Sequence, residues 1–119
     1  MEVQFPRVLV VEDEPIVRMY EAQLAESAGF ITSEASDASE ALWRLEQGEP
    51  VNILVTDLQM PGPIDGLELA RLVMERWPDI KVVVVSSHVD SEATTGARVT
   101  YLRKPFTEHE LISTLVSVA

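Results

Sequence analysis

The chain has 119 residues, 20 acids against 9 bases for a formal charge of −11, no cysteine and 46% hydrophobic content. This length suits one domain with a single core, the apolar content rules out a disordered acidic tail, and the missing thiols rule out a disulfide framework or a thiolate metal site. The acidic balance argues against direct binding of nucleic acid or of an anionic surface, so an anionic ligand has to be met by a few placed groups rather than by the general field.

The first residues, MEVQFPR, lack the basic stretch and long apolar segment of a signal peptide, and no apolar run approaches the roughly 20 residues that span a bilayer. A cytoplasmic protein without membrane contact is expected. Five short runs rich in Val, Ile, Leu and Thr read as strands: Arg7 to Val11, Phe30 to Glu34, Val51 to Thr56, Lys81 to Ser86 and Val99 to Leu102. The near-continuous apolar character of the third and fourth predicts parallel strands covered on both faces. Between the first two strands, Pro15 to Ala28 has helical spacing, with Val17, Tyr20, Leu24 and Ala28 as its stripe and Gly29 as its stop. A second helix over Asp37 to Gln47 opens on an Asp37/Glu40 capping pair, turns Ala38, Ala41, Leu42 and Leu45 inward, and ends at Gly48. The third, Leu67 to Trp77, carries Ala70, Val73 and Trp77 and stops at Pro78. The last begins at a Thr107/Glu110 capping box and has Leu111, Leu115 and Val118 as its stripe.

Alternating strands and helices predict an α/β protein with a parallel sheet, whose ligand site lies beyond the carboxyl ends of the strands. The residues at those ends are Glu12, Asp13 and Glu14, then Asp57, then Ser86 and Ser87, then Lys104 followed by Pro105. Two carboxylates 4 Å apart repel by about 4 kcal/mol at an effective dielectric of 20, so converging acids require a proton, a lysine or a divalent cation. Oxygen ligands without nearby His or Cys favour Mg²⁺ or Mn²⁺ over Zn²⁺. Carboxylate, metal, lysine and hydroxyl together suit phosphoryl transfer to an aspartate, and Asp57, alone at its strand end, is the better nucleophile candidate than Asp13.

With these residues in view, the chain resembles the receiver domain of bacterial two-component response regulators, of the stand-alone type, over essentially its whole length. The matching pieces are VLVVEDE at 8–14, VTDLQMPG at 55–62, DGLELA at 65–70, VVVVSSH at 82–88 and YLRKPF at 101–106. The resemblance implies one domain over residues 1–119, built as a doubly wound, flavodoxin-like sheet of order 2-1-3-4-5 with helices on both faces. By the same resemblance Asp57 is the phosphoacceptor, Asp13 a direct metal ligand, Glu12 the second acid acting on the metal largely through water, and the Gln59 backbone carbonyl a third ligand of Mg²⁺. Ser86 is then the hydroxyl that bonds the phosphoryl group, Lys104 its ion-pair partner, and Tyr101 the aromatic switch; the Lys104–Pro105 bond is expected to be cis.

The chain departs from the family pattern at the two residues Pro63 and Ile64 between MPG and DG, where one is usual. The segment HVDSEATTGARVT before the fifth strand is shortened and has almost no apolar stripe, which predicts a short or irregular fourth helix. Other residues read more plainly. Glu14 is a surface acid, Ser87 a small neighbour of the site, Met60 and Pro61 turn packing, and Asp65 with Gly66 a turn and helix start. His88 and His109 are exposed, Trp43 is half exposed at the core edge, and Trp77 belongs to the core.

The expected function is a two-state phosphoacceptor switch that takes a phosphoryl group from a sensor histidine kinase or histidine phosphotransfer protein and acts on a downstream protein target. It modifies only itself and is not a turnover enzyme. The alternatives are a receiver fragment of a longer transcription factor or hybrid kinase, and a pseudo-receiver that binds partners without phosphorylation. A Mg²⁺-dependent phosphatase would need a second acid two residues after Asp57, where Gln59 stands.

Overall fold

The computed structural model describes residues 5–87 and 99–119. In chain order the elements are β1 (Arg7–Val11), α1 (Pro15–Ser27), β2 (Ile31–Ala35), α2 (Ala38–Glu46), β3 (Ile53–Asp57), α3 (Gly66–Arg76), β4 (Lys81–Ser86), β5 (Val99–Arg103) and α4 (Glu108–Val118). The strands form one parallel sheet in the order β2-β1-β3-β4-β5, as expected. Leu9 lies between Ser33 and Leu54, and Val84 between Thr56 and Tyr101, so register runs unbroken across the sheet. The helix expected between β4 and β5, with His88, lies outside the described residues.

Side chains alternate across a strand, and the sheet accordingly feeds two apolar layers. Leu9, Val11, Leu54, Val82 and Val84 pack with Ala41 and Leu45 of α2 and with Leu69 and Val73 of α3. Val8, Val10, Ile53, Val55, Val83 and Val85 pack with Leu24 and Ala25 of α1 and with Leu111 and Leu115 of α4. Helices therefore cover both faces, and β1, β3 and β4 are nearly sealed from water. The edge strands β2 and β5 keep several half-exposed positions, which is why their sequences carry Thr, Ser, Glu and Tyr.

Capping sets three helix starts. Asp37 and Asp65 each accept the backbone N–H three residues on, at 2.7 and 2.9 Å, and Thr107 with Glu110 forms both halves of a capping box. Each such cap is worth about 1 kcal/mol. In α2 the reciprocal half falls one residue early, since Glu40 accepts from the Ser36 N–H rather than from Asp37.

Three expectations needed correction. β3 runs to Asp57, placing the phosphoacceptor candidate inside the sheet's last rung, opposite Val85, rather than just after the strand. In α1 the inward face is Glu21, Ala22, Leu24 and Ala25, whereas Ile16, Met19 and Tyr20 stay exposed. The apolar stripe misleads there because a carboxylic acid takes a core position that periodicity assigns to a hydrophobe. Trp77 is only partly buried: it caps the end of α3 with its ring under the Arg76 guanidinium at 4.5 Å, a cation–π contact.

Candidate functional site

The parallel register carries β1 and β3 to the same edge of the sheet, so Glu12, Asp13 and Asp57 meet there. One oxygen from each lies within 4.8 Å of the others. Lys104, five residues into the chain after β5 begins, crosses from the opposite side. Its Nζ donates to Glu12 Oε1 at 2.8 Å and to Asp57 Oδ2 at 2.9 Å. The lysine is held there by its own backbone: its N–H donates to the Ser86 carbonyl at 3.0 Å, extending the β4–β5 ladder by one bond, and the following Lys104–Pro105 bond is cis, as the family resemblance implied.

The electrostatics of this cluster are asymmetric. Glu12 is 2% exposed, and burial raises its carboxyl above the ordinary range even though the Lys104 hydrogen bond pulls it down. Burial alone would pull the Lys104 ammonium down, but its hydrogen bonds to Glu12 and Asp57 win and hold it protonated well beyond its usual range. When ionised, the three acids against one ammonium leave two negative charges, which one divalent cation would balance. The donors are all carboxylate oxygens, which fits a hard cation such as Mg²⁺. Asp13 is the exposed member, open to an arriving ion.

Glu12 thus does more than the sequence assigned to it, because it is the buried counter-charge that fixes the lysine. Gln59 donates its backbone N–H to Asp57 Oδ1 at 3.2 Å, which orients the carboxylate and places the start of the loop after β3 beside the acids. Ser86 is buried at 2% exposure as the last residue of β4, adjacent to Asp57's neighbour Val85 in the ladder. Tyr101 is half-buried in mid-β5, against the layer that holds Val82 and Val84. The segment on which an aromatic switch would depend, 88–98, lies outside the described residues.

Three residues that shape the site were not singled out for that role by sequence. Arg18 donates from Nη1 to the Glu12 carbonyl at 2.9 Å and pairs with Glu34 at 3.3 Å, clamping the turn between β1 and α1. Gly66 starts α3 against the end of β3: a Cβ there would stand 1.5 Å from the Asp57 carbonyl oxygen, so only glycine allows the approach. Glu21 is 3% exposed, and its Oε2 has no hydrogen-bond partner among the described residues. Asp65 and Gly66 read from sequence as a helix start, which holds; the contact with Asp57 had no signal within the motif. Glu14 is exposed, as read, and its N–H donates to Glu12 Oε2 at 3.3 Å. Trp43 stands 60% exposed on α2, and His109 is exposed on α4, bonded to Ser113.

A doubly wound parallel sheet that gathers acids from the ends of β1 and β3 around a lysine from the end of β5 defines the class of flavodoxin-like proteins with an acid-and-lysine cluster at the carboxyl edge of the sheet. The chain belongs to the response regulator receiver domain family, whose pattern matches residues 8–116. It is 34% identical over 113 residues to the response regulator receiver protein CpdR of Brucella abortus, covering 90% of this chain and 91% of that protein. It is 36% identical over 113 residues to the sensor kinase CckA of the same organism, covering 91% of this chain but only 12% of the kinase. Among solved structures it superposes on the response regulator TrrA of Thermotoga maritima, solved in complex with Mg²⁺-BeF, with a TM-score of 0.82 at 26% identity over 97% of this chain and all of that one. The same domain thus occurs both as nearly an entire protein and as a small part of a long one. Among the described residues no helix is long and apolar enough to cross a membrane.

Proposed function

We propose that this domain is a phosphoacceptor switch in a two-component pathway, taking a phosphoryl group onto Asp57 from a phosphohistidine of a sensor kinase or phosphotransfer protein. The observation that carries the reading is the Lys104 bridge to Asp57 and Glu12 with Asp13 alongside. In the transfer, an Asp57 carboxylate oxygen bonds to phosphorus as the bond from phosphorus to the donor's imidazole nitrogen breaks, and the imidazole leaves with that electron pair. No oxidant or reductant is involved. Lys104 moves its hydrogen bond from Asp57 Oδ2 to the phosphoryl oxygens while keeping Glu12 as its anchor. Ser86, at the end of the neighbouring strand, supplies the hydroxyl that bonds the phosphoryl group.

Glu12, Asp13, Asp57 and the Gln59 carbonyl would hold a Mg²⁺ or Mn²⁺ ion, which when bound neutralises charge on the transferring phosphoryl group. The similar TrrA structure with Mg²⁺-BeF supports that reading. The domain modifies only itself, so it is a signalling module rather than a turnover enzyme, acting in the cytoplasm on a downstream protein, with neither nucleic acid nor membrane as its direct partner. The test is intact-mass measurement after incubation with Mg²⁺ and acetyl phosphate. One phosphoryl adduct, absent from Asp57→Asn, supports the switch; an unmodified protein that demonstrably binds Mg²⁺ supports the pseudo-receiver instead.

A further inference from the structure

The layer beneath the acidic site contains a titratable group that phosphoryl transfer as described does not use. Glu21 lies in mid-α1 on the buried face it shares with Leu24 and Ala25, which pack into the apolar layer with Leu111 and Leu115. It is 3% exposed, and its Oε2 has no hydrogen-bond partner among the described residues. A buried polar atom without a partner is costly, so its retention in a small core calls for a reason. One turn earlier on the same helix, Val17 lines an open groove of about 360 Å³ together with Tyr20, Ser87, Lys104, Pro105 and Phe106. The Tyr20 and Phe106 rings stack at 6.4 Å, closing α1 onto the segment that carries the lysine. Val17 and Tyr20, which flank Glu21 on α1, thus line the same groove as Lys104, so the helix that carries the buried carboxyl packs against the segment that carries the lysine.

We propose that Glu21 is a positioning residue for Lys104: as a neutral acid it leaves the ammonium to Asp57 and Glu12, and as a carboxylate it competes for that ammonium and slows phosphoryl transfer to Asp57. The inference rests on the phosphoacceptor reading above. The charges that act on Glu21 set when the change occurs. Burial pushes its carboxyl up to about 8, with the field of Lys104 opposing and those of Glu12 and Asp57 adding to the rise. The other charged groups on α1 and on the elements packed against it are exposed or bonded elsewhere, Arg7 of β1 and Glu26 of α1 being exposed. Arg18 of its own helix and Glu34 of β2 pair with each other, Glu110 of α4 closes its capping box, and His109 bonds Ser113, while Glu108 is exposed. Glu21 thus titrates against the site rather than against a private partner.

The experiment measures the rate of adduct formation with acetyl phosphate at saturating Mg²⁺ from pH 6 to 9.5, in wild type, Glu21→Gln and Glu21→Leu, with circular dichroism confirming the fold of each. A one-proton control of this kind lowers the wild-type rate by up to about tenfold over two pH units around the Glu21 midpoint, and both variants lose that fall. In parallel, metal-free wild type and Glu21→Gln are titrated by NMR of the Lys104 side chain. The Lys104 signal should shift with a midpoint near that of Glu21 in wild type and stay flat over the same range in Glu21→Gln. Wild-type and variant rate profiles that coincide, or a Lys104 signal indifferent to the substitution, overturn the proposal. If no variant and no wild-type sample forms an adduct at any pH, the phosphoacceptor reading fails, and the NMR titration still decides whether Glu21 positions Lys104.

Discussion

Replacing Glu21 by Gln removes one buried proton site and leaves the side chain's shape almost unchanged, so its effect on stability follows from linkage. In the folded protein the carboxyl holds its proton up to about pH 8, whereas the unfolded chain releases it near the ordinary value of 4.5. The folded state therefore binds more protons than the unfolded state throughout that window. The neutral acid's contribution is complete below the unfolded value and is lost as pH rises towards the folded one. Each pH unit in the window is worth about 1.4 kcal/mol, so wild type loses about 3 kcal/mol relative to Glu21→Gln between pH 5 and pH 8. Urea unfolding of both proteins at pH 5, 6, 7 and 8 without metal measures it directly, and the gap between their midpoints should widen by about 1–2 M over that range. At pH 5 the gap should be smallest, because there the linkage has only begun to act. Midpoints that run parallel from pH 5 to 8 would show that Glu21 is charged, or solvated, in the folded state and would refute the reasoning.

Other consequences follow from the same geometry. Gly66→Ala places a methyl group 1.5 Å from the Asp57 carbonyl oxygen, so either α3 or the end of β3 must move; the expected loss is at least about 2 kcal/mol in thermal or urea unfolding, together with slower adduct formation. Saturating Mg²⁺ should raise stability by about 2.7 kcal/mol at a hundred times its dissociation constant, and differential scanning calorimetry should show that gain reduced in Asp13→Asn and Asp57→Asn but kept in Glu26→Gln, whose carboxylate is exposed and remote. Lys104→Met leaves Glu12 buried without its ammonium, so Glu12 should take up a proton at a higher pH than in wild type, seen by carboxyl NMR, and adduct formation should fall by about a hundredfold or more.

Most of the frame was legible in the sequence because each signal had a local cause. The aliphatic runs of β3 and β4 are continuous because both faces of those strands are covered, and Asp65 and Thr107 mark helix starts because their side chains satisfy N–H groups three residues on. The motif acids and Lys104 were equally visible, and the parallel register then brought them together across 92 positions of chain from Glu12 to Lys104. What sequence missed depends on contacts between elements. The face of α1 was misassigned because Tyr20 of the expected stripe stays exposed, as do Ile16 and Met19, while Glu21 turns inward. The need for glycine at Gly66 comes from the Asp57 backbone, and Arg18's role from a carbonyl at the end of another element. No spacing within α1 or α3 encodes either.

The most direct test of the central claim is to locate the phosphoryl group after reaction with Mg²⁺ and a phosphohistidine donor, by peptide mass spectrometry with and without hydroxylamine, which cleaves acyl phosphates and spares phosphoserine. The expected result is a single hydroxylamine-labile modification at Asp57. A stable modification at Ser86, or a labile one at Asp13 or Glu12 with Asp57 untouched, would contradict it.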